Sequence, residues 1–333
     1  MTESTTLLSP RQTAERLPYA ALVDGIIRLL ADDFVRVPER LVQPLAGGGS
    51  LFVMPAADKE VAITKLISFT PANAEITHRG RRLPAIQGDV VVFDIASGER
   101  RLILDGPTVT ARRTAAVSLL AAQRLAPNPN GPLLIVGAGV QGRAHLEAFA
   151  GGLAIRQVMI ASRSAASAQA LVQHALSLGL QASVVQDANA ALADCPLAVT
   201  CTPASGVVLD TRPRPDAFLA AVGAFTPAMA ELGAGLCRHF AENGSVFVDT
   251  ADACHEAGDL LQAGLDVRRF ATLADVVRQG LKGPAGPVLF KSCGWAGWDL
   301  AAARTALAAC PATLELSPLT DQNQANPHHS AKR

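Results

Sequence analysis

The chain has 333 residues, 49% of them hydrophobic and 17% charged, and its 29 basic and 29 acidic residues give no net charge. This length predicts about two domains with ample material for a buried core. The balanced charge excludes a bulk electrostatic attraction to nucleic acid or anionic membranes. No apolar run approaches the ~20 residues of a membrane span, and the polar residues 2–6 lack a secretion-signal pattern. We therefore expect a globular cytoplasmic protein that binds neither nucleic acid nor membrane.

The N-terminal part of the chain predicts one long helix and then short strands. Ser9 followed by Pro10 is typical of a helix N-terminus, and apolar residues at helical spacing extend the predicted helix to about Phe34. Strands are predicted at residues 41–45, 51–54, 61–67, 89–95 and 100–104. Turn-forming residues stand at 47–49 and 96–99, between consecutive strands. This pattern predicts an antiparallel meander.

The pattern then changes to alternating helices and strands. A helix is predicted from about Thr114 to Leu125, opened by Arg112 and Arg113, and the Pro- and Asn-rich segment 127–132 ends it. Strands are predicted at residues 133–136, 158–161, 182–185, 197–201, 220–222 and 246–248. Such alternation is typical of a parallel, doubly wound sheet. A last helix at 299–309 has no strand after it, and we expect the polar tail 321–333 to be disordered.

A Gly-x-Gly-x-x-Gly turn stands between the first of these parallel strands and a helix that ends near Phe149. The turn comprises Gly137, Ala138, Gly139, Val140, Gln141 and Gly142. In this motif the first glycine makes the tight turn, the second admits a pyrophosphate, and the third allows close packing of helix and strand. The pyrophosphate then lies at the positive end of the helix. The sequence therefore predicts a Rossmann domain that binds a dinucleotide.

The residues after the next strand indicate which dinucleotide is bound. The acidic residue that binds the ribose 2′-hydroxyl of NAD is missing there, and Ser162 and Arg163 stand in its place. A hydroxyl and a guanidinium suit a 2′-phosphate, since arginine pairs well with phosphate oxygens. We therefore predict NADP(H), with NAD(H) as the less favoured alternative.

Three cations are candidate ligands for an anionic substrate. Arg40 ends the segment 37–40, Lys65 lies within an apolar strand, and the third is one of the adjacent Arg112 and Arg113 at the predicted start of a helix. An unpaired buried ammonium is costly, so a buried Lys65 needs an anion beside it. Together the three could hold a carboxylate, the arginines by bidentate hydrogen bonds and the lysine as a point charge. The alternation of the strand leaves a solvent-facing Lys65 equally open.

The six cysteines predict no chemistry of their own. They are scattered without a Cys-x-x-Cys spacing, and in a cytoplasmic protein such residues are reduced and behave as small hydrophobes. Cys254 and His255 are adjacent, but adjacent residues rarely converge on one ion, and no second ligand cluster stands at zinc spacing. We expect no metal site.

Several blocks, in order along almost the whole chain, resemble the ornithine cyclodeaminase/μ-crystallin family. No single block is decisive, and the resemblance rests on their order and spacing. The blocks are Pro38-Glu39-Arg40, Met54-Pro55-Ala56, Lys65-Leu66-Ile67-Ser68, Gly88-Asp89-Val90, residues 110–116, residues 137–142, Ser162-Arg163, Thr200-Cys201-Thr202, Val222-Gly223 with Pro227 and Glu231, Val248-Asp249, Glu256-Ala257-Gly258-Asp259 and residues 290–294.

The resemblance implies a homodimer of two-domain subunits. Residues 1–112 and 301–333 would form a discontinuous α+β dimerisation and substrate domain with an antiparallel sheet, and residues 113–300 the Rossmann domain that holds NADP(H). It implies that Arg40, Lys65 and Arg113 are the catalytic residues that bind the substrate carboxylate, with Lys65 also a candidate proton donor. Thr114 and Thr202 would lie at the cofactor.

One departure from the family pattern bears on the chemistry. Phe225 stands where the cyclodeaminases of the family have an aspartate that serves as general base, and phenylalanine cannot accept a proton. Ser162 and Arg163 resemble the NADPH-dependent ketimine reductases of the family. The resemblance therefore implies hydride transfer to Δ1-piperideine-2-carboxylate, giving L-pipecolate, and to Δ1-pyrroline-2-carboxylate, giving L-proline. Phe225 would then face the ring methylenes of the bound substrate.

Three alternatives stay open on the sequence. An ornithine cyclodeaminase is disfavoured by Phe225, and an alanine-type amino-acid dehydrogenase would use the same cations and cofactor. A non-catalytic NADPH- or small-ligand-binding protein of μ-crystallin type belongs to a different functional class, which the intact Arg40, Lys65 and Arg113 disfavour. Neither the size of the substrate ring nor a role for Asp299 follows from the residues.

Overall fold

A computed structural model of the chain describes residues 5–74, 77–78, 80–203 and 205–309. The predicted tail at 321–333, and with it most of the C-terminal segment 301–333, lies outside the described residues. Within them, no helix combines the length and apolar character needed to cross a membrane.

The N-terminal part of the chain builds a six-stranded sheet in the order β1-β8-β7-β4-β3-β2. Five of these strands pair antiparallel as predicted, each within a few residues of its expected ends. The sequence missed the short first strand, which pairs parallel with the last. The elements are β1 (Thr6–Leu7), α1 (Pro10–Glu15), α2 (Tyr19–Leu30), β2 (Leu41–Pro44), β3 (Ser50–Ala57), β4 (Val61–Phe69), β5 (Thr77–His78), β6 (Arg81–Arg82), β7 (Ile86–Asp94) and β8 (Arg100–Asp105).

The rest of the chain builds an eight-stranded parallel sheet in the order β11-β10-β9-β12-β14-β18-β16-β17, flanked by helices. The predicted α/β class is thereby confirmed, with a Rossmann-like parallel sheet beside an antiparallel one. The elements are α3 (Gly106–Leu125), β9 (Leu133–Val136), α4 (Val140–Gly152), β10 (Gln157–Ala161), α5 (Ala165–Ser177), β11 (Gln181–Val184), α6 (Ala188–Leu192), β12 (Leu197–Thr200), β13 (Ser205–Leu209), β14 (Phe218–Ala221), β15 (Ala230–Leu232), α7 (Ala234–Asn243), β16 (Ser245–Val248), α8 (Ala253–Glu256), α9 (Gly258–Gln262), β17 (Ala271–Thr272), α10 (Leu273–Arg278), β18 (Val288–Lys291) and α11 (Ala296–Ala308).

The prediction of one helix from Ser9 to Phe34 was wrong, because the chain breaks into α1 and α2. Ser9 does cap α1, its side chain accepting from Gln12 N, and Pro10 lies in the first turn as predicted. Pro18 then stands at the N-cap of α2. Proline has no amide hydrogen to donate and disfavours helical geometry in the residue before it, so the helix cannot continue through this point.

The start of α3 was also predicted wrongly, since the helix begins two turns before Thr114. The Asp105 side chain accepts a hydrogen bond from Thr108 N at the N-cap, and Pro107 lies in the first turn. Both residues are typical of a helix N-terminus. Arg113 therefore projects from the middle of a long, buried helix and not from its end.

The parallel sheet reverses its winding direction between β9 and β12. From β9 the chain continues outward through β10 and β11, and it returns to the other side of β9 with β12 and β14. Ligands of such sheets bind at the carboxyl ends of the strands beside this reversal. The sequence missed β18, which lies between β14 and β16, and the small parallel pair of β13 and β15.

Helices α3 and α11 bring the two sheets together at one place. The inner face of β4 packs on both helices, while α3 also packs on α4 of the parallel sheet. Along β4, Ile63, Lys65 and Ile67 are buried on the inner face, and Leu66 is exposed on the outer one. The expected domain boundary after residue 112 falls inside α3, so this helix is continuous across it.

Candidate functional site

The glycine-rich turn after β9 has the geometry that a dinucleotide needs. Gly137 has φ +114°, and a Cβ added to it would lie 2.7 Å from Cys201 O. A Cβ on Gly142 would lie 2.0 Å from Gly137 O, whereas nothing lies within 4 Å of one on Gly139. The first and third glycines therefore allow the tight turn and close packing, and the second leaves space for a bulky ligand, as the motif predicts.

The N-terminus of α4 presents donors to that space. No side chain caps this end of the helix, so its first amide groups are available to an anion. The side chain of Gln141 has an Oε1 atom that is buried without a partner among the described residues. Free amides beside an open glycine fit a dinucleotide pyrophosphate, which residues 137–142 would hold, whereas the Gln141 oxygen needs a donor that a pyrophosphate lacks.

A buried histidine fixes α4 to α3. His145 Nδ1 lies 2.8 Å from Gln141 O and Nε2 lies 3.0 Å from Ser118 Oγ. Because a carbonyl oxygen only accepts, Nδ1 carries the hydrogen and Nε2 accepts from the serine hydroxyl. Burial lowers the pKa of His145 to about 4, so the ring is neutral and structural.

The other residues predicted at the cofactor lie near the carboxyl ends of β10 and β12, the two neighbours of β9 in the sheet, or in α3. Ser162 and Arg163 follow β10 directly, and Arg163 is exposed. Thr202 follows β12, and its amide and hydroxyl both donate to Glu231 Oε1, at 2.6 and 2.8 Å. Thr114 is buried in α3, where its hydroxyl donates to the backbone one turn earlier.

The loops after β12 and β14 are tied together by Glu231, which is fully buried. Its Oε2 accepts from Thr200 Oγ at 2.9 Å and from Gly223 N at 2.7 Å, while Oε1 accepts from Thr202. Burial raises the pKa of Glu231 despite the opposing charge of Lys291. This carboxyl group joins the two loops at the carboxyl ends of β12 and β14, and the sequence indicated Glu231 only as part of a family block.

Two of the three predicted cations meet at one buried carboxylate. Lys65 Nζ donates to Asp299 Oδ1 at 3.1 Å, and Arg113 Nε donates to the same oxygen at 3.2 Å. Lys65 is 3% exposed and Asp299 0%, so the structure excludes a solvent-facing lysine. No role for Asp299 could be predicted from the sequence, although a lone acid in the apolar helix α11 indicates that it needs a partner.

The electrostatics of this cluster favour one more anion. Lys65, Arg113 and Asp299 together carry one excess positive charge, enclosed between β4, α3 and α11. Burial lowers the pKa of Lys65 to about 8, because the attraction of Asp299 is offset by repulsion from Arg113 and Arg40. A ligand carboxylate beside these cations would neutralise the excess charge and stabilise the protonated lysine.

Arg40, the third cation, lines a cavity of about 370 Å³ beside the cluster. Its guanidinium donates to Glu256, and both side chains are largely but not fully buried. Asp252, His255 and Trp295 are among the other residues that line this cavity. Arg40 is thus close enough to affect Lys65 electrostatically, while it already has an internal partner that the sequence did not reveal.

The loop after β18 lies against the guanidinium of Arg113. Asp249 Oδ2 accepts from Ser292 Oγ, Cys293 N and Gly294 N at 2.8–3.0 Å. Gly294 has φ +93°, and a Cβ there would lie 3.3 Å from the Arg113 guanidinium nitrogens. A glycine is required at this position both for its backbone conformation and for the close approach.

Phe225 lies in the loop after β14 and is 37% exposed. Among the described residues that line the cavity beside Arg40, Phe225 does not occur. Its predicted contact with the substrate ring therefore stays a prediction. The side chain is nevertheless an exposed aromatic surface at the same edge of the parallel sheet as the glycine-rich turn.

Comparison with known proteins agrees with the fold and with the motifs. The sequence model of the ornithine cyclodeaminase/mu-crystallin family matches residues 19–308. The chain therefore belongs to this family, as the resemblance of its sequence blocks predicted.

Two relatives and one solved structure show how similar the chain is to known proteins. The chain is 38% identical over 310 residues to the Delta(1)-pyrroline-2-carboxylate reductase 1 of Burkholderia multivorans, covering 91% of this chain and 95% of the relative. It is 38% identical over 302 residues to the Delta(1)-pyrroline-2-carboxylate/Delta(1)-piperideine-2-carboxylate reductase of Azospirillum brasilense, covering 88% and 92%. The structure of the Thermococcus litoralis Delta(1)-pyrroline-2-carboxylate reductase with NADH and L-proline superposes with a TM-score of 0.81 at 24% identity, covering 91% and 96%. This last likeness shows the fold alone.

Proposed function

We propose that the protein reduces cyclic ketimines that carry a carboxylate on the imine carbon, Δ1-pyrroline-2-carboxylate and Δ1-piperideine-2-carboxylate, to L-proline and L-pipecolate. The observation that carries the proposal is the buried cluster of Lys65, Arg113 and Asp299, in which two cations share one internal carboxylate and can bind a second one from the substrate. It lies in a chain that has a dinucleotide turn, and relatives with 38% identity are reductases of these substrates.

Each proposed residue has a role in binding the carboxylate or in supplying the proton. Lys65 and Arg113 bind the carboxylate, and Arg40, which is paired with Glu256 at the neighbouring cavity, is the third proposed ligand. A bound reduced nicotinamide dinucleotide supplies the hydride. The C=N bond accepts this hydride at carbon when its nitrogen is protonated, and the electron pair of the C=N bond then becomes the lone pair of the amine nitrogen. The proton on the imine nitrogen must come from a donor or from solvent, and Lys65, which a bound carboxylate keeps protonated, is the candidate donor.

We propose NADPH as the preferred reductant. Ser162 and the exposed Arg163 directly follow β10, where the ribose of a Rossmann-bound dinucleotide lies, and no carboxylate occupies this position. A free guanidinium there can pair with a 2′-phosphate. NAD(H) is the alternative that the kinetic comparison described below would favour if the arginine proved to be unimportant.

We also propose that the subunit associates as a homodimer through the outer face of the antiparallel sheet. Leu41, Val53 and Leu66 stand directly opposite one another on neighbouring strands of this face, and Leu41 and Leu66 are exposed. A contiguous apolar strip is unusual on a monomer's surface and is typical of an interface. The discontinuous domain division into residues 1–112 with 301–333, and 113–300, belongs to the same proposal.

The proposed activity is tested by NADPH oxidation, followed by absorbance, with each of the two ketimines. We expect rapid NADPH loss with both, slower loss with NADH, and L-proline or L-pipecolate as product. In parallel, ornithine with NAD+ is assayed for ammonia, and alanine with NAD(P)+ for reduction of the cofactor. Ammonia from ornithine would mean a cyclodeaminase, oxidation of alanine a dehydrogenase, and cofactor binding without turnover a binding protein.

A further inference from the structure

One oxygen of the buried cluster has no partner. Asp299 Oδ1 accepts from both Lys65 and Arg113, but Oδ2 is buried and, in the part of the chain that the structure describes, receives no hydrogen bond. A buried carboxylate oxygen left without a donor is costly, and native structures rarely retain one without a use. The oxygen therefore indicates that a donor arrives with the ligand.

We propose that Asp299 Oδ2 accepts the N–H of the substrate ring. The inference rests on the proposed function and specifies how the substrate is oriented. In a cyclic 2-imino acid the ring nitrogen and the carboxylate are attached to the same carbon. A carboxylate bound to Lys65 and Arg113 therefore brings the nitrogen close to the acid that these two cations share.

The hydrogen-bonding capacity of the neighbouring groups supports this assignment. Lysine and arginine can only donate, so neither Lys65 nor Arg113 can accept an N–H. Glu256, a carboxylate that lines the cavity beside the cluster, is engaged by Arg40. Asp299 thus offers the unpaired acceptor in the immediate surroundings of the two cations.

The arrangement also selects the reactive form of the substrate. A ketimine protonated on nitrogen has a positive nitrogen and a negative carboxylate, which match Asp299 and the two cations respectively. Asp299 stabilises this protonated form, which accepts hydride better than the neutral imine. The N–H bond stays intact while hydride adds to carbon, so the product amine keeps its contact with Oδ2.

The test compares two unreactive ring carboxylates that differ at one atom, pyrrole-2-carboxylate, which has a ring N–H, and furan-2-carboxylate, which has a ring oxygen there. Their affinities for the wild-type protein are measured by calorimetry with saturating NADP+. A hydrogen bond to a charged group contributes about 1.5–3 kcal/mol, so we expect pyrrole-2-carboxylate to bind at least about tenfold more tightly. Equal affinities, or tighter binding of the furan, would overturn the proposal.

The Asp299→Asn variant gives a second readout that a merely structural role would not produce. Its amide oxygen should stay on Lys65 and Arg113, because both need an acceptor, and its NH₂ group then faces the ring. We expect the preference to reverse in favour of furan-2-carboxylate, and an unchanged preference for the pyrrole would contradict the assignment. If the variant does not fold, the wild-type comparison decides alone.

These binding measurements separate the inference from the proposed function. A preference for the N–H ligand without turnover of either ketimine would remove the proposed reductase while leaving the Asp299 contact intact. Turnover of both ketimines by a wild-type protein that does not distinguish the two ligands would remove the Asp299 contact alone.

Discussion

Replacing Lys65 with methionine should weaken ligand binding and stabilise the ligand-free fold at the same time. Lys65 is buried in a cluster that carries one excess positive charge, and its pKa falls from 10.5 in the unfolded chain to about 8 in the folded protein. Below pH 8 the folded protein therefore holds a proton that the unfolded chain binds more strongly, at a cost of about 3 kcal/mol. Lys65→Met leaves Arg113 and Asp299 as a neutral pair, so the variant should be more stable at pH 7 by up to about this amount.

The pH dependence separates this effect from the added apolar contact of the methionine. Between pH 8 and pH 10.5 the unfolded chain still binds the proton that folded Lys65 has lost, so wild-type stability rises with pH across this window. Urea unfolding midpoints at pH 7 and pH 10 should therefore show a gap between variant and wild type that shrinks at the higher pH. Lys282→Met, which removes an exposed lysine, serves as the matched control and should show no such change.

The same variant must also lose affinity for a carboxylate ligand. One charge-assisted hydrogen bond is worth about 1.5–3 kcal/mol, which corresponds to a tenfold to hundredfold weaker binding of pyrrole-2-carboxylate at pH 7. A Lys65→Met protein that is less stable than wild type at pH 7, or that binds this ligand equally well, would refute the reasoning about the excess charge.

Three further outcomes are expected. The pKa of His145 is lowered to about 4, so acid should destabilise the fold as pH falls from 6.5 to 4, by up to about 3 kcal/mol; His145→Gln should flatten this part of the curve in urea unfolding, and an unchanged slope would argue against a neutral buried ring. Arg163→Glu should raise the KM for NADPH at least tenfold and leave that for NADH nearly unchanged, whereas Arg156→Glu, an exposed change before the opposite end of β10, should alter neither. Leu66→Arg should convert a dimer to a monomer in light scattering, and a dimer of unchanged stability would place the interface elsewhere.

The elements that depend on local pattern could be predicted from the sequence. The strands of the antiparallel sheet, and the turn from Gly137 to Gly142, follow from alternation, from glycine spacing and from the apolar strand before them. The break at Pro18 and the capping of α3 by Asp105 had local signals as well. The helix ends were predicted wrongly because the apolar periodicity continues across these signals.

The centre of the candidate site could be predicted only in part, because its decisive contacts join distant parts of the chain. Lys65 and Arg113 were named as carboxylate ligands, but their shared partner Asp299 lies more than a hundred residues further on, in a different element. The pairing of Arg40 with Glu256 is of the same kind. The sequence pattern shows that a buried cation needs an anion, but only the tertiary fold shows which anion is present.

The measurement that tests the central claim most directly is a hydride-tracing experiment with NADPH that carries deuterium at both C4 positions of the nicotinamide. The protein is incubated with this cofactor and Δ1-piperideine-2-carboxylate, and the product is analysed by mass spectrometry and NMR. We expect L-pipecolate with one deuterium on the carbon that bears the carboxylate. Absence of product, or unlabelled pipecolate, would contradict a direct hydride transfer to the imine carbon and with it the proposed function.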